Sequence, residues 1–282
     1  MNRHILLLMP SIIIVLAIGI VPTICAVNYS LQNPFTEVNT FVGLEHFRKV
    51  FLDYRFADAL QRNMIFSAIC LAIEIPLGMA LALILYERTK INSIISLIIT
   101  IPVLIPPITV GLLWRLMVRD TGPITVLLKN FFNLNFVPYQ NPTQAFATIV
   151  AMDVWHWTPL VCLVVSAGLA GMDRSPVLSA RTEGATRWQI FRRIELPAIS
   201  FPLVFISLLR LIDTLKIYDE PTVIFAGGPG LTTEFISLYI RKVAIDQFVV
   251  GYGAALSLIY NFIILLLCYL LLIVMTKGRG LM

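Results

Sequence analysis

Six apolar stretches organise the chain: residues 5–27, 63–86, 91–113, 143–169, 196–212 and 252–275. A helix needs about 20 mostly apolar residues to cross the hydrocarbon of a bilayer. Each stretch therefore predicts a spanning helix, because lipid offers backbone groups no partner outside the helix. The third holds Pro102, Pro106 and Pro107 and is expected to kink or break. The fifth holds Pro197 and Pro202 and runs into Arg210 and Asp213. Between these stretches lie long polar connections at 28–62, 114–142 and 213–251. The first predicts a short amphipathic helix over 45–52. The last contains Gly227-Gly228-Pro229-Gly230, a turn signal, followed by a helix over 233–248 lying along the surface. No internal repeat or low-complexity tract interrupts this pattern. The expectation is an all-α membrane protein of six transmembrane helices, with residues 1–282 as one domain.

Composition agrees with that reading. Hydrophobic residues make up 58% of the 282 and charged residues 13%, against about 25% charged in soluble chains. Mean hydropathy is +0.86. A single water-facing core stops growing at roughly 250–300 residues and could not hide this much apolar surface. The net charge of +5 does not point to nucleic acid, because the basic residues flank the apolar runs as topology signals do. The short connections hold Arg88 and Lys90, then Arg174, Arg181, Arg187, Arg192 and Arg193; Arg3, Lys277 and Arg279 flank the outermost runs. Their density puts the short connections and both termini in the cytoplasm. Cys25, Cys70, Cys162 and Cys268 lie inside apolar runs without metal or redox spacing. The stretch 5–27 is long for a signal peptide and reads as an uncleaved helix.

The connection 171–196 differs from the others: GMDRSPVLSARTEGATRWQIFRRIEL. Ser175-Pro176 reads as a helix start, with a capping side chain before a first-turn proline. Gly184 fits the position after a helix end, and Thr186 offers a second cap. Trp188, Phe191 and Ile194 recur at helical spacing. Two short helices with a glycine elbow follow, suited either to the headgroup layer or to docking a soluble partner.

From Glu183-Gly184-Ala185 through Trp188, Phe191, Ile194, Leu196 and Pro197, the loop resembles the cytoplasmic EAA loop of bacterial binding-protein-dependent ABC importer permeases. Leu178-Ser179-Ala180 stands where that family has its leading E-A-A. Phe41-Val42-Gly43-Leu44, Trp155-His156-Trp157-Thr158-Pro159 and Gly227-Gly228-Pro229 resemble segments of the carbohydrate, maltose-type branch. The resemblance implies a type I ABC importer permease fold in the bacterial cytoplasmic membrane. It implies two ATPase subunits carrying ATP and Mg, a second homologous permease chain, and a periplasmic or extracellular sugar-binding protein as partners. No cofactor is expected in this chain. It also implies that Glu183, Gly184, Ala185, Arg187, Trp188, Phe191 and Arg192 couple to the ATPase.

Ionisable residues inside spans are functional candidates, because placing them there costs energy. Glu74, Asp153, Trp155, His156, Trp157, Arg210 and Asp213 are candidates for a substrate path, or for buried structural contacts. Asp213 can pair with Arg210 and Lys216 by helical spacing. Asp219, Glu220, Gly227, Gly228 and Pro229 are candidates for contact with the external binding protein. The sequence has no phosphate-binding loop, no H-E-x-x-H, no G-x-S-x-G and no Cys/His cluster, so no catalysis is expected of this chain. The rival readings are an ion-coupled secondary transporter and an ABC permease for a non-sugar solute.

Overall fold

The computed structural model describes the backbone of residues 3–35, 40–86 and 89–277, with side chains described for 9–35, 40–86 and 89–275. Arg88 and Arg279, used above to set orientation, lie outside the described residues, as do the side chains of Arg3 and Lys277. Helix α1 (Arg3–Ser30) leads into a two-stranded antiparallel pair, β1 (Gln32–Asn33) and β2 (Thr40–Phe41). Then come α2 (Glu45–Phe51), α3 (Tyr54–Ile84), α4 (Lys90–Thr100), a 3-10 turn (Ile101–Leu104) and α5 (Pro107–Met117). Helix α6 (Pro123–Phe132) precedes α7 (Pro142–Ala170) and α8 (Ser175–Thr182). The chain continues through α9 (Arg187–Ile190), a π turn (Phe191–Glu195), α10 (Leu196–Ala198), α11 (Ser200–Leu215) and α12 (Asp219–Phe225). It closes with α13 (Ile236–Arg241), a second π turn (Lys242–Asp246) and α14 (Val250–Lys277).

Among the described residues, four helices are long and apolar enough to cross a membrane without a break: α1, α3, α7 and α14. Two bent pairs bring the number to six where each pair is counted as one span. One joins Lys90–Leu104 to Pro107–Met117 at 96°, the other Arg187–Ala198 to Ser200–Phe225 at 69°. The first bend falls where the proline pattern puts it. Pro106 cannot donate a backbone hydrogen bond, and Pro107 starts α5. The fifth span differs from expectation, since its helical path opens at Arg187 rather than near Leu196. Helix α3 starts nine residues before its apolar run, because the Asp53 carboxylate accepts the backbone N–H groups of Arg55 (2.9 Å) and Phe56 (3.2 Å).

The chain divides into two compact units, Met1–Leu60 with Ile236–Leu267 and Gln61–Phe235 with Cys268–Met282. In the first, α13 departs from the surface helix expected over 233–248. Helical structure begins at Ile236, and Ile236, Leu238, Tyr239 and Val243 are buried. The Tyr239 hydroxyl bonds Asp53, as does that of Tyr252 at 2.6 Å. Burial pushes the Asp53 carboxyl up, but these two hydroxyls and the Phe56 and Arg55 N–H groups hold it below its ordinary value. In the second unit α7 is the central helix, with more than half of its apolar window buried. Asn141 caps it by accepting from Thr143 and Gln144, with Pro142 in the first turn. Its core includes Ile149, Met152, Val161 and Val165. Helix α5 packs closely on α12. A Cβ on Gly111 would stand 3.1 Å from the Glu220 Cα, so a larger residue there would push these backbones apart by a few tenths of an ångström.

Candidate functional site

Arg210, on α11, is fully buried. Its Nε donates to Glu74 Oε2 at 2.7 Å and its Nη2 to Glu74 Oε1 at 3.0 Å, a bidentate pair. The same Nη2 donates to Asp153 Oδ2 at 2.7 Å. One side chain thus ties α11 to α3 and α7. Such a triad is tolerable in a low dielectric only because each charge has a close partner. The guanidinium also stands 5.0 Å from the Trp157 ring centroid. The remaining nitrogen, Nη1, is buried without a hydrogen-bond partner; the Asp213 carboxylate lies 3.7 Å from it.

This corner opens on a cavity of about 220 Å³. Its polar lining consists of Asp153, Arg210, Asp213, Lys216, Asp219 and Glu220, with Trp157 and Tyr218 as aromatic walls. Four carboxylates face two cations, so acceptors outnumber donors. His156 lies buried behind two of these residues, Trp157 and Glu220. Its Nε2 donates to the Ile105 carbonyl at 3.2 Å, a group freed by the break before α5. Its Nδ1 is 3.4 Å from Glu220 Oε1, and its ring packs on Trp157 at 4.5 Å. Cys70, Glu74 and Asp153 bring ligand-type atoms within 4.8 Å of one another. Arg210 already bonds both carboxylates, so the positive charge a metal would supply there is present.

The structure gathers Glu74, Asp153, His156, Trp157, Arg210 and Asp213 at one corner. Trp155 departs from them. It is 42% exposed and paired with Trp114 at 6.1 Å, because one step along α7 turns a side chain through about 100°. Glu220 is 5% exposed, with its carboxylate against His156, and Asp219 is half-buried in the cavity wall. In the glycine turn, Thr233 donates its N–H to the Gly227 carbonyl and its hydroxyl to that of Gly228 at 2.7 Å. Gly227 is buried, and Gly228 and Pro229 are half-buried.

Sequence reasoning missed Asn63 and Arg115, and met Lys216 only as a partner of Asp213. Asn63 donates to the carbonyls of Thr214 and Leu215, closing the end of α11. Arg115 reaches the Val223 carbonyl at 3.3 Å. A polar residue heading an apolar run was the available signal for Asn63.

Ahead of the other arm of the fifth span, α8 is followed by Gly184 with φ +81°. The N–H of Gly184 bonds the Arg181 carbonyl and that of Ala185 bonds the Ala180 carbonyl, a Schellman motif. Thr186 then forms a capping box with Gln189. The cap predicted at Ser175 is replaced: Asp173 accepts the Ser175 N–H at 3.0 Å, and Ser175 itself lies inside the helix. Arg187 bonds the buried Glu195 at 2.5 Å. Trp188 and Phe191 stack at 5.4 Å, but the π turn from Phe191 breaks the 3.6-residue register, and Ile190 is the buried residue of α9. Glu183, Gly184, Trp188 and Arg192 are exposed, and Ala185 and Phe191 half-buried.

Residues 74–277 match the family described as binding-protein-dependent transport system inner membrane components. The chain belongs to this family. It is therefore a multi-pass membrane permease component, and the matched region contains both the Arg210 corner and the elbow. The trehalose/maltose transport system permease protein MalF of Thermococcus litoralis is 31% identical over 236 residues, 83% of this chain and 80% of that one. The trehalose transport system permease protein SugA of Mycobacterium tuberculosis is 26% identical, over 90% and 82%. Among solved structures, a bacterial ABC transporter that imports the acidic polysaccharide alginate superposes with a TM-score of 0.84 at 21% identity, over 97% and 95% of the two chains. The fold is that of the ABC importer permease.

Proposed function

We propose that this permease component forms half of the translocation path of an ATP-driven sugar importer, as a single membrane domain with both termini in the cytoplasm. The observation that carries the reading is the cavity above Arg210. Its excess of acceptors suits a ligand rich in hydroxyl donors. The names of the relatives from Thermococcus litoralis and Mycobacterium tuberculosis, trehalose/maltose and trehalose permeases, support the same class of substrate. Partners are two ATPase subunits, which hold ATP and Mg, a second homologous permease chain and an external sugar-binding protein. An alginate transporter solved with its periplasmic protein supports the last of these.

Coupling follows one continuous path. Helix α8 and the elbow at Glu183, Gly184 and Ala185 meet the ATPase. Arg187 and Glu195 clamp α9 to the π turn, and α11 carries the motion to Arg210, which grips α3 and α7. ATP supplies the differential affinity that such a switch requires. The four lining carboxylates leave little for an anionic sugar, so a neutral one is the expected cargo. The test is a tagged purification in mild detergent followed by uptake in sealed vesicles. Co-purification of an ATPase and a second permease chain, with ATP-dependent uptake of a neutral sugar, is the expected result. A chain that purifies alone and transports without ATP would replace this reading with an ion-coupled carrier.

A further inference from the structure

Beside the elbow, α3 and α9 enclose an open apolar groove of about 540 Å³, lined by Pro76, Met79, Leu83, Ile84, Trp188 and Phe191. Trp188 also forms one wall of a neighbouring hollow of about 460 Å³, with Gln189, Arg192 and Arg193. Trp188 thus divides an oily channel from a basic one. Its side chain is 65% exposed and that of Ile84 71%. Arg187 borders the groove and gives one face to Glu195, leaving its guanidinium half-exposed. Arg192 and Arg193 are exposed and form no ion pair among the described residues. Three guanidinium groups therefore answer to one carboxylate at this spot.

The surroundings decide what such a surface fits. Helix α3 is a spanning helix, and the path from Arg187 to Ala198 belongs to another span. The groove runs along the last two turns of the first and the opening turns of the second, at the depth where spans leave the hydrocarbon. Tryptophan and arginine collect there, with apolar atoms toward the chains and donors toward the headgroups. Basic hollows between spanning helices on the cytoplasmic side suit anionic headgroups. The π turn assists, because it lets Phe191 line the groove while Arg192 and Arg193 remain outside.

We propose that this composite surface binds an anionic phospholipid of the cytoplasmic leaflet. One acyl chain lies between α3 and Phe191, and the phosphate sits on Arg192 and Arg193 with Arg187 at its edge. Contact with the ATPase is then confined to α8 and the elbow. The proposal rests on the cytoplasmic placement of this loop given under Proposed function.

The experiment uses the complex purified by a tag on this chain, in detergent. It is titrated with phosphatidylglycerol or phosphatidylcholine carrying identical brominated acyl chains. The quenching that disappears in Trp188→Phe reports on the groove. Half-saturation at fivefold or more lower phosphatidylglycerol than phosphatidylcholine is expected, with loss of that preference in Arg192→Gln/Arg193→Gln. Equal half-saturation by the two lipids in the wild type overturns the proposal. Release of the co-purified ATPase subunit by the double variant also overturns it, and assigns the surface to that protein. A wild-type complex that contains no ATPase but keeps the lipid preference sinks the importer reading and leaves the lipid site standing.

Discussion

The Arg210 corner lies on one arm of a bent span and the Gly184 elbow just ahead of the other, and the two are built by opposite means. The corner is tied together over long range. Arg210 and Glu74 are 136 residues apart in sequence, Arg210 and Asp153 are 57 apart, and all three are buried. The elbow is open. Its Schellman bonds, its capping box and its Arg187–Glu195 bridge all close within eight residues. A charge network in hydrocarbon must be complete before it is stable, whereas a chain reversal in water needs only the right residue at each position. The corner thus acts as a fixed joint among three spans, and the elbow as a shaped lever end.

Removing one partner from the corner should have the largest effect. Arg210→Ala would strand two carboxylates in a low dielectric, at about 3–5 kcal/mol. The expected outcome is loss of the assembled protein from membranes, read by quantitative blotting. Adding Glu74→Gln and Asp153→Asn to it should restore the amount of protein but not its transport. If the single variant accumulates normally, the corner does not hold the three helices.

At the elbow the effects should be smaller and should separate function from stability. Gly184→Val places a β-branched residue at positive φ, a strain of about 1–2 kcal/mol. Open space surrounds the position, so packing is not the issue. Uptake should fall roughly tenfold while membrane content stays normal; unchanged uptake would remove the lever from the mechanism. Thr186→Ala deletes half of the capping box, worth about 1 kcal/mol. It should lower coupled ATPase activity by a few-fold, with proteolysis near residue 186 reporting the loosened turn.

Asp53 sharpens the contrast from between these extremes, since its partners are distant in sequence but its surroundings are partly wet. Its folded pKa is lowered by two tyrosine hydroxyls and two backbone N–H groups acting against burial. Its contribution to stability is thus present above the unfolded value of about 3.9 and is lost as pH falls through the lower folded value. Asp53→Asn should lower the melting temperature at pH 6 and flatten its fall toward pH 3. Parallel melting curves for wild type and variant across that range would show that the two hydroxyls do not favour the ionised form.

What the sequence disclosed follows the same division. The elbow was legible nearly residue by residue, because glycine after a helix and threonine before one are local signals; only Asp173 displaced the expected Ser175 cap, and a π turn shifted the register after Phe191. The spans were legible from their apolar length, and the break near Pro106 from its prolines. The pairing of Arg210 with Glu74 and Asp153 was not, since spacing along α11 offered only Asp213 as a partner. Nor did the sequence reveal that Glu220 turns inward onto His156, or that Trp155 and Trp157 face different surroundings. Those outcomes depend on which helices meet.

The triad also dictates an order of events during biosynthesis. Glu74 and Asp153 leave the ribosome first, on α3 and α7, and the one cation that pairs with both follows 57 residues after the second acid. At 5–20 residues per second, the translocon must shelter two unpaired carboxylates for roughly 3–11 s. A message truncated before codon 210 would release a fragment whose acids have no counterion, and such a fragment should be cleared by membrane proteases instead of persisting as a competitor for the partner subunits.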